Sequence, residues 1–198
     1  MSKSDKTRER LVESYTRLTR SMPYDQLTVS AITNDCGMSR QTFYYHFHSL
    51  YDLAVWECRR QLASTLSATK GASWVLRIAA ILNILYEHKE IVQSITSSRV
   101  GRQDLDRLLK DELGLVAMRL LEDLFSGTDM PLSDRALIAR FYTAGTVEII
   151  EAWIDDGMRE HPRRLGQRLE AVYINGIPGA LKIFGAAEMP DAASKGLE

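Results

Sequence analysis

Residues Ser39 to Phe47, SRQTFYYHF, place four aromatic rings, a guanidinium, an amide and an imidazole within nine positions. At roughly 100° of rotation per residue in a helix, Phe43 and Phe47 share one face, while Gln41, Tyr44 and Tyr45 fall on the opposite one. Arg40 and Thr42 sit at the edges of that outer face. The phenylalanines suit a core. The outward groups can all hydrogen-bond, and no acid occurs from Cys36 to Ser49. Such a face is built to meet a negatively charged or hydrogen-bonding partner.

The elements that must position this face read as helices. Apolar residues recur at three- and four-residue spacing, and alternating runs bounded by turn residues are missing, so the fold class is all-α, with about nine helices. A first helix is expected from about Lys6 to Ser21, with Leu11, Tyr15 and Leu18 on one stripe. Thr28 is a good N-cap for a short second helix ending near Asp35, and Ser39 caps a third through about Phe47. Ser49 starts a fourth that reaches about Ala68. Helices are then expected over Trp74–His88, onward to Thr96, and over Asp104–Phe125, Ser133–Asp156 and Arg163–Phe184. The stretches SATKGAS, SSRVGRQ and SGTDMPLS read as connectors. The helix pattern divides the chain into a domain of short helices over 1–48, a domain of longer helices over 49–185, and a disordered tail over 186–198.

Composition sets limits on the rest. The 198 residues are 45% apolar and 26% charged, ordinary for a soluble globular chain long enough for one or two cores. No secretory signal and no apolar run of membrane-spanning length occur, so no membrane partner and a cytoplasmic location are expected. Cys36 and Cys58 lack paired spacing and read as reduced, buried thiols. Residues 1–60 carry nine Lys/Arg against seven Asp/Glu, too slight an excess to argue for a nucleic-acid partner. Local arrangement says more, since Lys3, Lys6, Arg8 and Arg10 crowd the N-terminus.

Two short helices joined by CGMS fit a helix-turn-helix, with Gly37 supplying the permissive backbone of the tight turn. Ile32 and Cys36 can pack against Phe43 and Phe47, leaving the Gln41, Tyr44 and Tyr45 face free for a major groove. The alternative at this stage is a surface αα-hairpin with two incidental tyrosines.

The block LTVSAITNDCGMSRQTFYYHFHSLYDL, residues 27–53, resembles the signature of TetR/AcrR-type bacterial transcriptional regulators. The resemblance rests on Leu27, Thr28, Val29, Ile32, Gly37, Ser39, Thr42, Phe43, Tyr44, His46, Phe47 and Leu53. The stretch YTAGTVEIIEAWIDDGM, residues 142–158, is similar to the C-terminal domain of the DhaS-like branch, regulators associated with dihydroxyacetone kinase operons. By position, the resemblance implies phosphate contacts from Thr28, Ser39 and Tyr44, and a further contact from His46. It implies base-edge contacts from Arg40, Gln41 and Tyr45, with Thr42 near a thymine methyl. Leu50 stands where the family commonly has a phosphate-binding lysine, which puts one backbone contact in doubt. Thr33 and Cys36 replace residues that are commonly alanine.

In the helix expected over 133–156, Arg140, Ala144, Glu148, Glu151 and Asp155 form one narrow polar stripe, and nearly all else from Ala136 to Ile154 is apolar. So wide an apolar arc must be buried on more than one side. A larger monomeric core would satisfy it; the resemblance favours a two-fold dimer. The expected interface comprises Phe141, Gly145, Ile149 and Trp153 on that helix, with Leu169, Val172, Tyr173, Gly176 and Ile177 on the last.

The resemblance also implies a pocket for an unidentified small-molecule effector. Trp74, Tyr86, His88, Arg99, Met118 and Tyr142 are candidates because they add polar tips or polarisable atoms to apolar surroundings, although each taken alone reads more readily as core or solvated surface. No cofactor is expected. His46 and His48 have no third ligand converging with them, so no metal site is expected either. No Gly-rich phosphate loop, nucleophile elbow or metal-ligand motif occurs, so an enzyme is not expected. The expected function is a homodimeric repressor of near-palindromic double-stranded DNA, released by its effector, with the fourth helix linking reader to regulatory bundle. The alternative is a DhaS-like coregulator or activator that acts through a partner protein.

Overall fold

The structure, a computed structural model, describes residues 3–67, 74–124 and 131–184. Among the described residues every regular element is helical, as expected. The order is α1 (Lys3–Ser21), a 3-10 turn (Tyr24–Gln26), α2 (Val29–Asp35), α3 (Arg40–His46) and α4 (Leu50–Ser67). Then come α5 (Trp74–Glu87), α6 (Lys89–Thr96), α7 (Arg99–Leu124), α8 (Leu132–Asp155) and α9 (Pro162–Phe184). The expected tail, 186–198, lies outside the described residues.

Local chemistry accounts for where the short helices begin and end. Thr28 Oγ1 accepts from the Ala31 amide and Ser39 Oγ from the Thr42 amide, each at 3.0 Å, and both residues hold extended backbone as N-caps do. Gly37 has φ +64°, and the Met38 amide donates back to the Thr33 carbonyl at 2.8 Å, closing α2 with the left-handed turn that glycine favours. At the start of α4, Ser49 Oγ accepts from the Asp52 amide at 3.1 Å, and an Asp52 carboxylate oxygen accepts from the His48 amide at 2.9 Å.

One expected loop is helix instead. Most of SSRVGRQ belongs to α7, which starts at Arg99. Ser98 caps it, accepting from the Gly101 amide at 2.9 Å. Gly101, within the stretch expected to be a connector, has a steric role. Here the first turn of α7 crosses the Ile95 backbone and the Tyr24 ring so closely that a Cβ would clash with both.

Two apolar clusters form. The first gathers Leu11, Tyr15, Ile32, Phe43, Phe47 and Leu53, the last contributed by α4. Phe43 is 0% exposed, and burying each such ring contributes about 1.5–3 kcal/mol. The second gathers residues of α5, α7, α8 and α9 with Leu62, again from α4. α7 lies along α8, and α5 against α9.

Helix α1 holds the reader pair by polar bonds as well as by packing. Arg10 donates to the Cys36 carbonyl at 2.7 Å, and Ser14 Oγ to the Ile32 carbonyl at 3.1 Å, so α1 supplies donors to the end of α2. Ser14 and Arg17 both bond the Asp35 carboxylate. Those bonds, from Arg17 first and Ser14 second, hold the Asp35 carboxyl below its ordinary range.

Helix α4, expected to link reader and bundle, contributes Leu53 to one cluster and Leu62 to the other, and a second set of contacts joins them as well. α6 and α7 also touch the first cluster directly. Ser94 Oγ donates to the Thr19 carbonyl at 2.8 Å, and the Tyr24 hydroxyl donates to Asp104 at 3.2 Å. The 3-10 turn that presents Tyr24 lacks a helical period, so periodicity could not reveal this second joint.

Gly101→Ala should destabilise the protein by about 1–3 kcal/mol, because the atoms in the way are backbone and cannot rotate aside. Gly114→Ala, in the same helix with open space at its Cβ, should stabilise by about 0.5–1 kcal/mol. Denaturant unfolding of the two variants checks the contrast. Asp35 provides a pH test. A carboxyl whose folded pKa is depressed adds stability above its unfolded pKa of about 3.9, and that stability is lost as pH falls through the folded value. Between about pH 5 and pH 3 the thermal midpoint of the native chain should therefore drop further than that of Asp35→Asn, with both read by circular dichroism.

Candidate nucleic-acid interface

Helix α3 divides as its sequence requires. Phe43 and Phe47 are buried against each other, with ring centroids 5.9 Å apart and planes tilted by 53°. Arg40, Gln41, Tyr44 and Tyr45 are exposed, and Tyr45, at 83%, projects furthest. The Arg40 guanidinium lies 6.0 Å from the Tyr44 ring centroid, a cation–π contact that orders both side chains without using their hydrogen-bonding edges. Thr42 is half-buried, and its hydroxyl pairs with Ser39 Oγ at 2.9 Å. Thr28 and Ser39 lie exposed at the entrances to α2 and α3, their hydroxyls already serving as caps.

His46 is half-buried, with its ring edge-on to Tyr45 at 5.0 Å. Burial, and secondarily the nearby Arg8, hold its imidazole below the ordinary histidine value, so it is neutral at pH 7. It can offer a hydrogen bond but no charge. Beneath it, Trp56 of α4 packs edge-on against Phe47 at 5.8 Å, and the guanidiniums of Arg8 and Arg60 lie 5.9 and 6.0 Å from its ring. Trp56 thus ties α1, α3 and α4 together. The reading of the reader helix by face missed it, because its partners come from helices far apart in sequence.

The residues expected to line one effector pocket do not converge. Trp74 stacks on Tyr173 at 4.9 Å, and Tyr142 meets the same ring at 4.9 Å, so these two gather around a third aromatic. Tyr86 lies against Trp153 and His161 instead. Met118 packs into the second cluster. Arg99 is exposed at the start of α7. His88 faces an open groove between α1 and α4, and its Nδ1 is buried with no partner among the described residues. None of the six lines the cavity of about 220 Å³ between α4, α5 and α7, or the void of about 20 Å³ beside it.

The expected dimer face also divides. Trp153, Leu169 and Tyr173 are buried within the chain's own core, so they have almost no area left to give a partner. Trp153 Nε1 donates to the Glu160 carbonyl at 2.8 Å, and the Tyr173 hydroxyl pairs with Thr146 Oγ1 at 2.7 Å, which satisfies both polar tips internally. Phe141, Gly145, Ile149, Val172 and Gly176 are exposed. Gly176 makes room for the Tyr142 hydroxyl of the same chain. The side chain of Ile177 lies outside the described residues. Along α8, Phe141, Gly145 and Ile149 recur every fourth residue, Leu137 one step earlier extends the same exposed row, and Phe141 is 73% exposed.

Among the described residues no helix is long and apolar enough to cross a membrane. No curated protein matches the chain in sequence. Of solved structures, one named dihydroxyacetone kinase operon activator DhaS superimposes with a TM-score of 0.63 at 20% identity, covering 90% of this chain and 98% of its own. Another, described as a transcriptional regulator from Pseudomonas aeruginosa PAO1, superimposes with a TM-score of 0.54 at 17% identity, covering 93% and 96%. At these identities the likeness concerns the fold. Family comparison goes further. Residues 16–55 match the family described as bacterial regulatory proteins, tetR family, and residues 73–175 match the family described as transcriptional regulator C-terminal region. With a reader helix exposed at one end and a regulator's C-terminal region over more than half its length, the chain belongs to the TetR family of bacterial transcriptional regulators, which bind DNA, and it is not an enzyme.

Proposed function

We propose that this regulator acts in the cytoplasm as a homodimeric repressor that holds near-palindromic double-stranded DNA and releases it when a small molecule binds the helical bundle. In this reading residues 1–48 form the reader and residues 49–185 the regulatory and dimerisation part. The observation that carries the reading is the outer face of α3. Arg40, Gln41, Tyr44 and Tyr45 stand exposed on a helix locked from behind by Phe43, with no acid among them. A helix so fixed presents base-reading groups at low entropic cost. Arginine and glutamine there suit guanine and adenine, and Thr28, Ser39, Tyr44 and His46 suit the flanking backbone. Thr42, half-buried, has only its methyl to offer a thymine.

Support for the dimer comes from the apolar row on α8. A ridge of every-fourth residues packs well against its symmetry copy, and Gly145 in the middle permits close approach. Val172 of α9 extends the same exposed surface.

The purified protein should migrate at about twice 22.4 kDa, and Phe141→Arg, which touches no internal core, should bring it to the monomer mass. Light scattering at micromolar concentration measures both, and a monomeric native chain would remove the interface argument. For DNA, the dimer should select half-sites centred roughly 34 Å apart. In binding selections from random duplexes, Gln41→Ala should change the preferred base at one position, losing about 1–3 kcal/mol of discrimination there. Tyr44→Phe should weaken all sites alike, because a phosphate contact carries no base information. A like shift in preference for both variants would overturn this sorting of the face. Should specific binding demand a second protein, the partner-dependent activator or coregulator reading replaces the repressor one.

A further inference from the structure

Three helices of the bundle each place one arginine on the lining of the same groove, Arg59 from α4, Arg77 from α5 and Arg119 from α7, with Arg77 half-buried and the other two exposed to solvent. The cavity holds about 220 Å³, and a single acid, Glu112, faces the three guanidiniums. Arg59 is taken by it, donating from Nε to a Glu112 oxygen at 2.7 Å. Arg77 and Arg119 have no hydrogen-bond or ion-pair partner among the described residues. The rest of the wall is aliphatic, with Leu62 and Val116 at its base. Behind Ile81 and Glu112, which border both spaces, lies the apolar void of about 20 Å³. Unspent guanidiniums over an apolar floor match an oxyanion carrying a short hydrocarbon body. Arginine's planar fork takes carboxylate or phosphate oxygens in pairs, and the aliphatic wall rejects a fully hydrated ion.

We propose that this groove binds a small organic anion, a carboxylate or a phosphate monoester with a compact apolar body, and that this is the effector class of the regulator. The second half rests on the reading of a regulator released by a small molecule; the binding site does not. Because Arg59 sits on α4, an anion bridging it to Arg77 and Arg119 would draw that helix toward α5 and α7, while the other end of α4 remains packed under the reader through Leu53.

The test uses the full-length protein with benzoate, hexanoate and phenyl phosphate, each paired where possible with its neutral counterpart, benzamide or hexanamide. Calorimetry and thermal unfolding should register the anions at millimolar concentration and not the amides, and the stronger of the carboxylates or the phosphate ester identifies the head group. Arg77→Gln and Arg119→Gln should each weaken anion binding by about tenfold to a hundredfold, since charge-assisted hydrogen bonds are lost. Arg163→Gln, an exposed arginine at the start of α9, should leave it unchanged. Equal binding of acids and amides, no binding by any anion, or equal loss in all three variants overturns the site. DNA selected by the protein is then titrated with and without the bound anion. Release of DNA supports both halves. Arginine-dependent binding with no effect on DNA supports the site and overturns the effector assignment. Release of DNA by a neutral compound while no anion binds overturns the site and leaves the regulator reading intact.

Discussion

Leu53 is buried among the rings of the N-terminal cluster, and Leu62, nine residues further along the same helix, is buried in the bundle cluster. At 1.5 Å of rise per residue these anchors stand about 13 Å apart on one rigid rod. Neither cluster can therefore move α4 without moving the other. Trp56, between the anchors, adds aromatic and cation–π contacts to α3 and α1. Everything else in the molecule positions something against this rod: α1 and α3 at one end, α5 and α7 at the other.

A rod buried at both ends could still swing about a single joint. The second joint restricts that freedom. Tyr24 reaches Asp104 of α7, Ser94 of α6 reaches the Thr19 carbonyl, and Gly101 lets α7 lie directly on the Tyr24 ring. Burial raises the phenol pKa of Tyr24 far above its ordinary value, so this bond is made by a neutral hydroxyl donating to a carboxylate at any physiological pH. With two attachments, displacement of α4 relative to α7 cannot leave the reader in place. Reciprocity follows. Under the proposed function, a ligand that shifts the bundle would change DNA affinity, and DNA would change the affinity for that ligand by the same factor.

The bundle's polar groups are distributed to suit that role. Trp153 and Tyr173 satisfy their polar atoms inside the chain, and burial raises the Cys58 thiol to about 12, so it is inert as a nucleophile. Among the described residues, groups left without an internal partner include the exposed apolar row on α8, the outer face of α3, and Arg77 and Arg119 of the groove. These are the places where the proposed dimer, DNA and anion would complete the bonding.

Read alone, the sequence determined the features that depend on neighbours within a few residues. The caps at Thr28 and Ser39, the glycine turn at Gly37 and the inward Phe43 and Phe47 follow from local hydrogen bonding and from 100° rotation, which tertiary packing had no reason to override. The all-α class and most helix bounds follow from the same period. Tertiary structure alone decided what depends on distance in sequence. The stretch around Gly101 read as a connector, but packing against Ile95 and Tyr24 made glycine the necessary residue inside a helix. Trp153 looked like an outward apolar residue because an amphipathic pattern states how wide a buried arc is, not which neighbour covers it; the chain's own core did. Likewise the three groove arginines stand on separate helices, 59, 77 and 119 in the chain, and only packing makes them one charge cluster. Periodicity reports the face of a single helix, while a site between helices is set by how their faces meet.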